Sequence, residues 1–80
     1  MAVLRLFASA RTAAGTSTDQ VPGSTVADLL ANATARYGEE FAAVLPSCAI
    51  WLNGQPVDAS HGLVDDDEVA VLPPVSGGRS

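Results

Sequence analysis

Residues 21–38, VPGSTVADLLANATARYG, contain one helix with a signal at each end. Pro22-Gly23 breaks whatever strand precedes it, because proline has no N–H for a ladder and glycine favours a turn. Thr25 is a natural N-cap, and Asp28 stands three residues on, a capping-box spacing with Asp in place of the usual Glu. Val26, Leu29, Leu30, Ala33 and Tyr37 then recur at helical spacing and make one apolar stripe. Gly38 supplies the stop, since glycine takes positive φ without a Cβ penalty. The stripe needs a partner, and the residues on either side provide it.

Upstream, Ala2–Ala8 alternates as a strand, with Leu4 and Leu6 on one face and Val3, Arg5 and Phe7 on the other. Ser9–Thr16 is small and polar with Gly15 and reads as a loop into a second strand near Ser17–Val21, which predicts an antiparallel pair. Downstream, Glu39–Ser47 is ambiguous: Phe41, Ala42, Val44 and Leu45 allow another helical turn before Pro46. Cys48–Leu52 (CAIWL) is a strand, Asn53-Gly54 is a strong hairpin signal, and Val57 begins the return. Asp58–Asp67 is rich in turn residues, Glu68–Leu72 (EVAVL) is the last strand, and Pro73-Pro74 ends its pairing. The expected fold is α+β: a mixed sheet of four to five strands with one main helix on one face.

Composition bounds the function. Eighty residues, 48% of them apolar, make one small globular domain. Nine acidic residues against four arginines and no lysine give a net charge of -5, which disfavours nucleic acid or anionic lipid as a partner and favours an electropositive protein surface. Without lysine, only the N-terminal amine could accept an isopeptide-type linkage. The opening MAVLRLFASA lacks a basic leader region and is interrupted by Arg5, so it does not read as a secretory signal. No run approaches the roughly 20 apolar residues of a membrane span. A cytoplasmic protein is expected.

Few residues offer chemistry. Cys48 is the one cysteine, so no internal disulfide forms, and no Cys/His cluster could hold a structural metal. Asp65–Glu68 reads as a solvated turn, because consecutive carboxylates do not converge on one ion. A Cys48–His61 nucleophilic pair is weaker still: Cys48 opens an apolar strand and His61 sits in a turn. The end of the chain, VLPPVSGGRS, is more specific. Two prolines direct the chain away from the sheet, and Gly77-Gly78 could thread a channel where any Cβ would clash. On these residues alone, a functional arm and a frayed terminus stand about level.

The segment DDDEVAVLPPVSGG resembles the C-terminal signature of the ubiquitin-like sulfur carriers. It is closest to the small subunit of molybdopterin synthase (MoaD-like), with the ThiS carriers of the thiamine pathway more distant. LRLFASAR, TVADLL and WLNG match in the same order, so the resemblance covers nearly the whole chain. It implies a β-grasp fold, a domain over residues 1–74 and a flexible tail over 75–80. It also implies that a MoeB/ThiF-like enzyme uses ATP to adenylate the Gly78 carboxylate, after which sulfur displaces AMP to give a thiocarboxylate. The sulfur then passes to an acceptor enzyme, the molybdopterin synthase large subunit in that branch. Cysteine, thiamine or natural-product synthesis, or ubiquitin-like protein modification, are the alternatives.

By position, the family's partner-facing surface maps onto Phe7, Arg11 and Leu72, beside Pro73, Pro74, Val75, Ser76 and Gly77. No cofactor or metal is implied on the carrier itself. Two features depart from the pattern. Asp66 stands where the family has a turn glycine; Asp tolerates left-handed geometry better than most residues, so a modest cost to stability and no change of function are expected. Arg79-Ser80 follows Gly78, whose carbonyl is therefore an amide. Either a protease, of the zinc metalloprotease kind that trims related carriers, removes the pair, or the pair was added to the natural chain, or the carrier has decayed.

Overall fold

The computed structural model describes residues 1–74. Its elements are β1 (Ala2–Leu6), α1 (Ala8–Ala14), β2 (Thr18–Val21), α2 (Val26–Tyr37), α3 (Glu39–Val44), a 3-10 turn (Leu45–Ser47), β3 (Ala49–Leu52), β4 (Gln55–Pro56) and β5 (Glu68–Leu72). The strands form one sheet in the order β2-β1-β5-β3-β4. β1 and β5 are parallel, with Leu6 opposite Val71, and the other pairs are antiparallel. The mixed sheet with its helices is the β-grasp layout.

Alternation sorts the sheet into two faces. Ala2, Leu4 and Leu6, with Val21, Leu52, Val69 and Val71, are buried beneath the helices. Val26, Leu29 and Ala33 of α2 are fully covered, while Leu30 and Tyr37 pack at the edge of the stripe. The start of α2 is satisfied completely. Thr25 Oγ1 accepts from Asp28 N at 3.1 Å, the Val26 and Ala27 amides donate to the His61 and Ala59 carbonyls, and Ser24 Oγ donates to Asp28 Oδ2. The Asp28 carboxylate therefore braces Ser24, while the amides of the helix start are met by Thr25 and the Asp58–Leu63 loop.

Gly23 has a reason beyond breaking a strand. A Cβ there would lie 2.5 Å from Leu29 N and 2.7 Å from its Cα, so the loop passes against the helix backbone. Gly23→Ala should destabilise the fold by about 1–3 kcal/mol, the usual effect of forcing an extra methyl into packed structure. A urea titration that leaves the midpoint unchanged would contradict this.

Several expectations need correction. Residues 9–16 are no loop, because α1 occupies Ala8–Ala14. Ala10 is fully buried and Ala13 and Ala14 pack against the core, so small side chains let this helix lie close to its neighbours. β1 accordingly ends at Leu6 rather than Ala8, at a corner where Ala8 takes φ 51°. The ambiguous stretch is helical: α3 carries Phe41, which is fully buried and meets Tyr37 edge to face at 5.2 Å. Gly38, at φ 100°, joins α2 to α3 without a linker.

The Asn53-Gly54 turn has positive φ at both residues and sets Leu52 opposite Gln55. The return strand thus begins two residues before Val57, whose amide still donates to the Ile50 carbonyl. Asp66 is not left-handed; among the described residues other than glycine, only Ala8 and Asn53 are. The turn is instead built on Asp67, whose carboxylate accepts from Val64 N and Asn53 Nδ2, while Asn53 Oδ1 accepts from Glu68 N.

Two carboxylates make the fold acid-sensitive. Tyr37 donates to Asp19 Oδ2 at 2.6 Å and Arg36 donates to the same oxygen at 2.9 Å, holding Asp19 below the usual carboxylate range. Asp67 is lowered by the Val64 amide and then by Asn53. Each group releases its proton more readily when folded, so its contribution is complete above about pH 4 and disappears as pH falls through the folded value. Asp19→Asn should flatten the acid limb of a plot of urea midpoint against pH; a limb of unchanged slope would remove Asp19 from this account. Tyr37, raised by burial and then by Asp19, keeps its proton above pH 10 where the unfolded chain loses it, so stability also declines on the alkaline side.

Candidate functional site

The parallel β1–β5 pair aims two chain ends in one direction. Leu6 opposite Val71 brings Phe7 level with Leu72, where β1 turns into α1 and β5 runs into Pro73-Pro74. Phe7 is extended (φ -128°, ψ 151°) and continues the strand alternation, so its ring joins Val3 and Arg5 on the outer face of the sheet. The ring is 40% exposed, and the Arg5 guanidinium carbon lies 6.0 Å from its centroid. Its carbonyl accepts from the Ala10 and Arg11 amides, which ties the ring's position to the start of α1.

Leu72 is half-buried and pairs with Ala49 of β3. Trp51, two residues along, faces outward opposite Ala70 and Pro56 and is 36% exposed. Phe7, Leu72, Ala49, Trp51 and Pro56 thus lie on one side of a sheet whose other side is covered by helices. Pro73 is half-buried and Pro74 exposed, at the margin of this surface. Arg11 is exposed one turn into α1, and among the described residues its guanidinium makes no ion pair, unlike Arg5 with Glu68 and Arg36 with Asp19. The surface offers exposed apolar contact beside the Arg5–Glu68 pair, with the Arg11 guanidinium at the same end of the molecule.

The structure therefore brings Phe7, Arg11, Leu72, Pro73 and Pro74 to one end of the molecule. Val75, Ser76, Gly77, Gly78, Arg79 and Ser80 lie outside the described residues. Trp51 was missed by the sequence reading. The signal was present in CAIWL, where Ile50 and Leu52 share a face and leave Ala49 and Trp51 on the other. The Cys48–His61 pair is not formed. Cys48 adjoins Ala49 at the Leu72 end, whereas His61 lies beside Gly62, which bridges Thr25 at the opposite end. The Cys48 thiol donates to the Val44 carbonyl at 3.3 Å, and burial pushes its pKa up, away from thiolate chemistry. No group of three metal-ligating side chains occurs among the described residues.

The ThiS family model matches residues 4–78. This chain belongs to the ThiS family. No curated protein matches it in a sequence comparison. Among solved structures, small archaeal modifier protein 1 of Methanosarcina acetivorans is 32% identical, with 96% of this chain and 95% of that one aligned at a TM-score of 0.87. The protein of that name from Haloferax volcanii is 26% identical over 96% and 98%, with a TM-score of 0.86. A Helicobacter pylori complex of subunits 1 and 2 of molybdopterin-converting factor contains a chain 27% identical over 96% and 97%, with a TM-score of 0.71. The fold and the family are thereby fixed. Among the described residues, no helix is long and apolar enough to cross a membrane.

Proposed function

We propose that this ThiS-family chain is a sulfur carrier whose C-terminal glycine, Gly78, is adenylated and converted to a thiocarboxylate, serving molybdopterin synthesis. The observation that carries the reading is the family match through Gly78, on a chain whose last strand leaves the sheet through Pro73-Pro74 beside an exposed apolar face. A carboxylate is a poor electrophile, so a separate MoeB/ThiF-like enzyme spends ATP to install a leaving group. The carrier then needs no acid, base or metal of its own. It needs an arm without side chains at its tip and a surface by which each enzyme holds it. Phe7, Leu72 and Trp51, with Arg11 at the rim, supply that surface.

The likeness to a complex of subunits 1 and 2 of molybdopterin-converting factor supports an acceptor enzyme that docks here. A second reading is protein modification through Gly78, favoured by the higher identity to small archaeal modifier protein 1. In either case the Gly78–Arg79 bond must be opened, by a protease such as a zinc metalloprotease, or be absent from the natural chain, before the glycine can be activated. Intact mass of the protein from its own host tests all of this. A species ending at Gly78, and a second heavier by the exchange of one oxygen for sulfur, are expected. Chains that all retain Ser80 would sink the carrier reading; adducts on target lysines without any thiocarboxylate would select the modifier.

A further inference from the structure

An activated C-terminal carbonyl is an electrophile attached to its own protein, and any nucleophile within reach of the tail would capture it. The chain has no lysine, so the strongest common acyl acceptor is missing from its entire surface. What remains is an amine, a thiol, an imidazole and several hydroxyls, and the fold deals with each differently.

The amine of Met1 lies at the wrong end. Val3 opposite Glu68 makes Met1 level with Asp66, and its amine contacts Asp65 at 2.9 Å. Pro74 lies eight residues farther along the strand direction, or about 26 Å at roughly 3.3 Å per residue. Six residues from Pro74 to Ser80 span at most about 22 Å, and the four to Gly78 about 14 Å. The ion pair with Asp65 is exposed and adds little; distance is what excludes the amine. His61 is remote for the same reason, since Gly62 pairs with Thr25 just beyond the end of β2 that meets Ala2.

The thiol is near but muted. Cys48 directly precedes Ala49, the partner of Leu72, yet it is half-buried and its Sγ–H is engaged by the Val44 carbonyl. Ser9 is exposed on α1, and the hydroxyls of Thr12 and Ser47 donate to the Ala8 and Val44 carbonyls; the one imidazole, of His61, is remote from all three, so none is activated for attack.

We infer that, among the described residues, the end of the molecule from which the tail departs carries no competent nucleophile, so that an activated C-terminus is handed only to another protein. The inference rests on the proposed activation of that terminus. The reaction avoided is ordinary acyl transfer. An amine nitrogen attacks the carbonyl carbon, a C–N bond forms, and the C–S or C–O bond to the leaving group breaks. The leaving group keeps the electron pair and the amine proton goes to solvent. A lysine at the exit would face the tail at an effective concentration of about millimolar, far above any encounter between separate molecules. If the chain modifies proteins, it follows that it builds no lysine-linked chains of itself.

The test installs the electrophile chemically, so it does not depend on any activating enzyme. The protein is prepared as a C-terminal α-thioester, at Ser80 of the whole chain and at Gly78, and its intact mass is followed in mildly alkaline buffer. The same is done for Ser9→Lys, which places one amine on α1 beside the exit. The expected result is hydrolysis alone for the unchanged sequence, and rapid loss of the thiol with formation of an internal amide in Ser9→Lys. Covalent dimers or cyclised product from the unchanged sequence at the rate of the variant would overturn the inference. Hydrolysis alone in both would overturn it too, since a lysine there would then make no difference. A failed sulfur-carrier reading would leave this outcome untouched and would show only in the host-derived mass.

Discussion

Phe41→Ala is expected to destabilise the protein by about 3–5 kcal/mol, the usual range for emptying a buried aromatic site. Phe41 has no exposed surface, packs edge to face against Tyr37 and belongs to the cluster that joins α3 to the sheet. A domain of this size holds only about 4–12 kcal/mol in total, so the variant should be close to unfolding at ambient temperature. Thermal melts should fall by about 4–8 °C for each kcal/mol lost. The second phenylalanine is the internal control. Phe7 is 40% exposed on the other face of the sheet, and Phe7→Ala should leave the melt within a few degrees. Equal shifts for the two variants would mean that the division into a core face and an outer face is wrong.

The contrast between these two residues also explains what could be read from sequence. Phe7 and the Leu4–Leu6 pair were separable because period-two alternation needs no knowledge of neighbours. α2 was legible for the same kind of reason: cap, stripe and terminal glycine all lie within residues 21–38. α1 was not. Its seven residues present alanines to the core, have no side-chain cap, and begin at Ala8 with a positive φ that nothing in the sequence announces. Its stability comes from contacts with α3 and the sheet, which only the tertiary structure supplies. Asp66 misled because a likeness by position suggested a left-handed turn, whereas the hydrogen bonds of Asn53 and Asp67 close that turn by another route. The alternation in CAIWL set Trp51 on the face opposite Ile50 and Leu52, but its place beside Leu72 on the outer face depends on how β3 pairs with β5, and that register is long-range.

That register carries the second large effect, on binding. The proposed acceptor enzyme meets an outer face whose large exposed side chains are Phe7 and Trp51, with Leu72 half-buried between the strands that bear them. Few residues in such an interface carry most of the energy, and truncating one typically weakens binding by about 2 kcal/mol or more, roughly thirtyfold in Kd. Phe7→Ala and Trp51→Ala should each reach that loss against the host's own acceptor enzyme, measured by titration calorimetry. Arg11→Ala, a rim charge, should mainly slow association and reduce its salt dependence. Gln20→Ala, exposed on β2 at the far edge of the same face, should change nothing. Because Phe7 and Trp51 contribute little to the core, weakened binding would appear with an unchanged melt, and misfolding could not account for it. Normal affinity in both aromatic variants would move the docking surface off this face, whatever becomes of the tail.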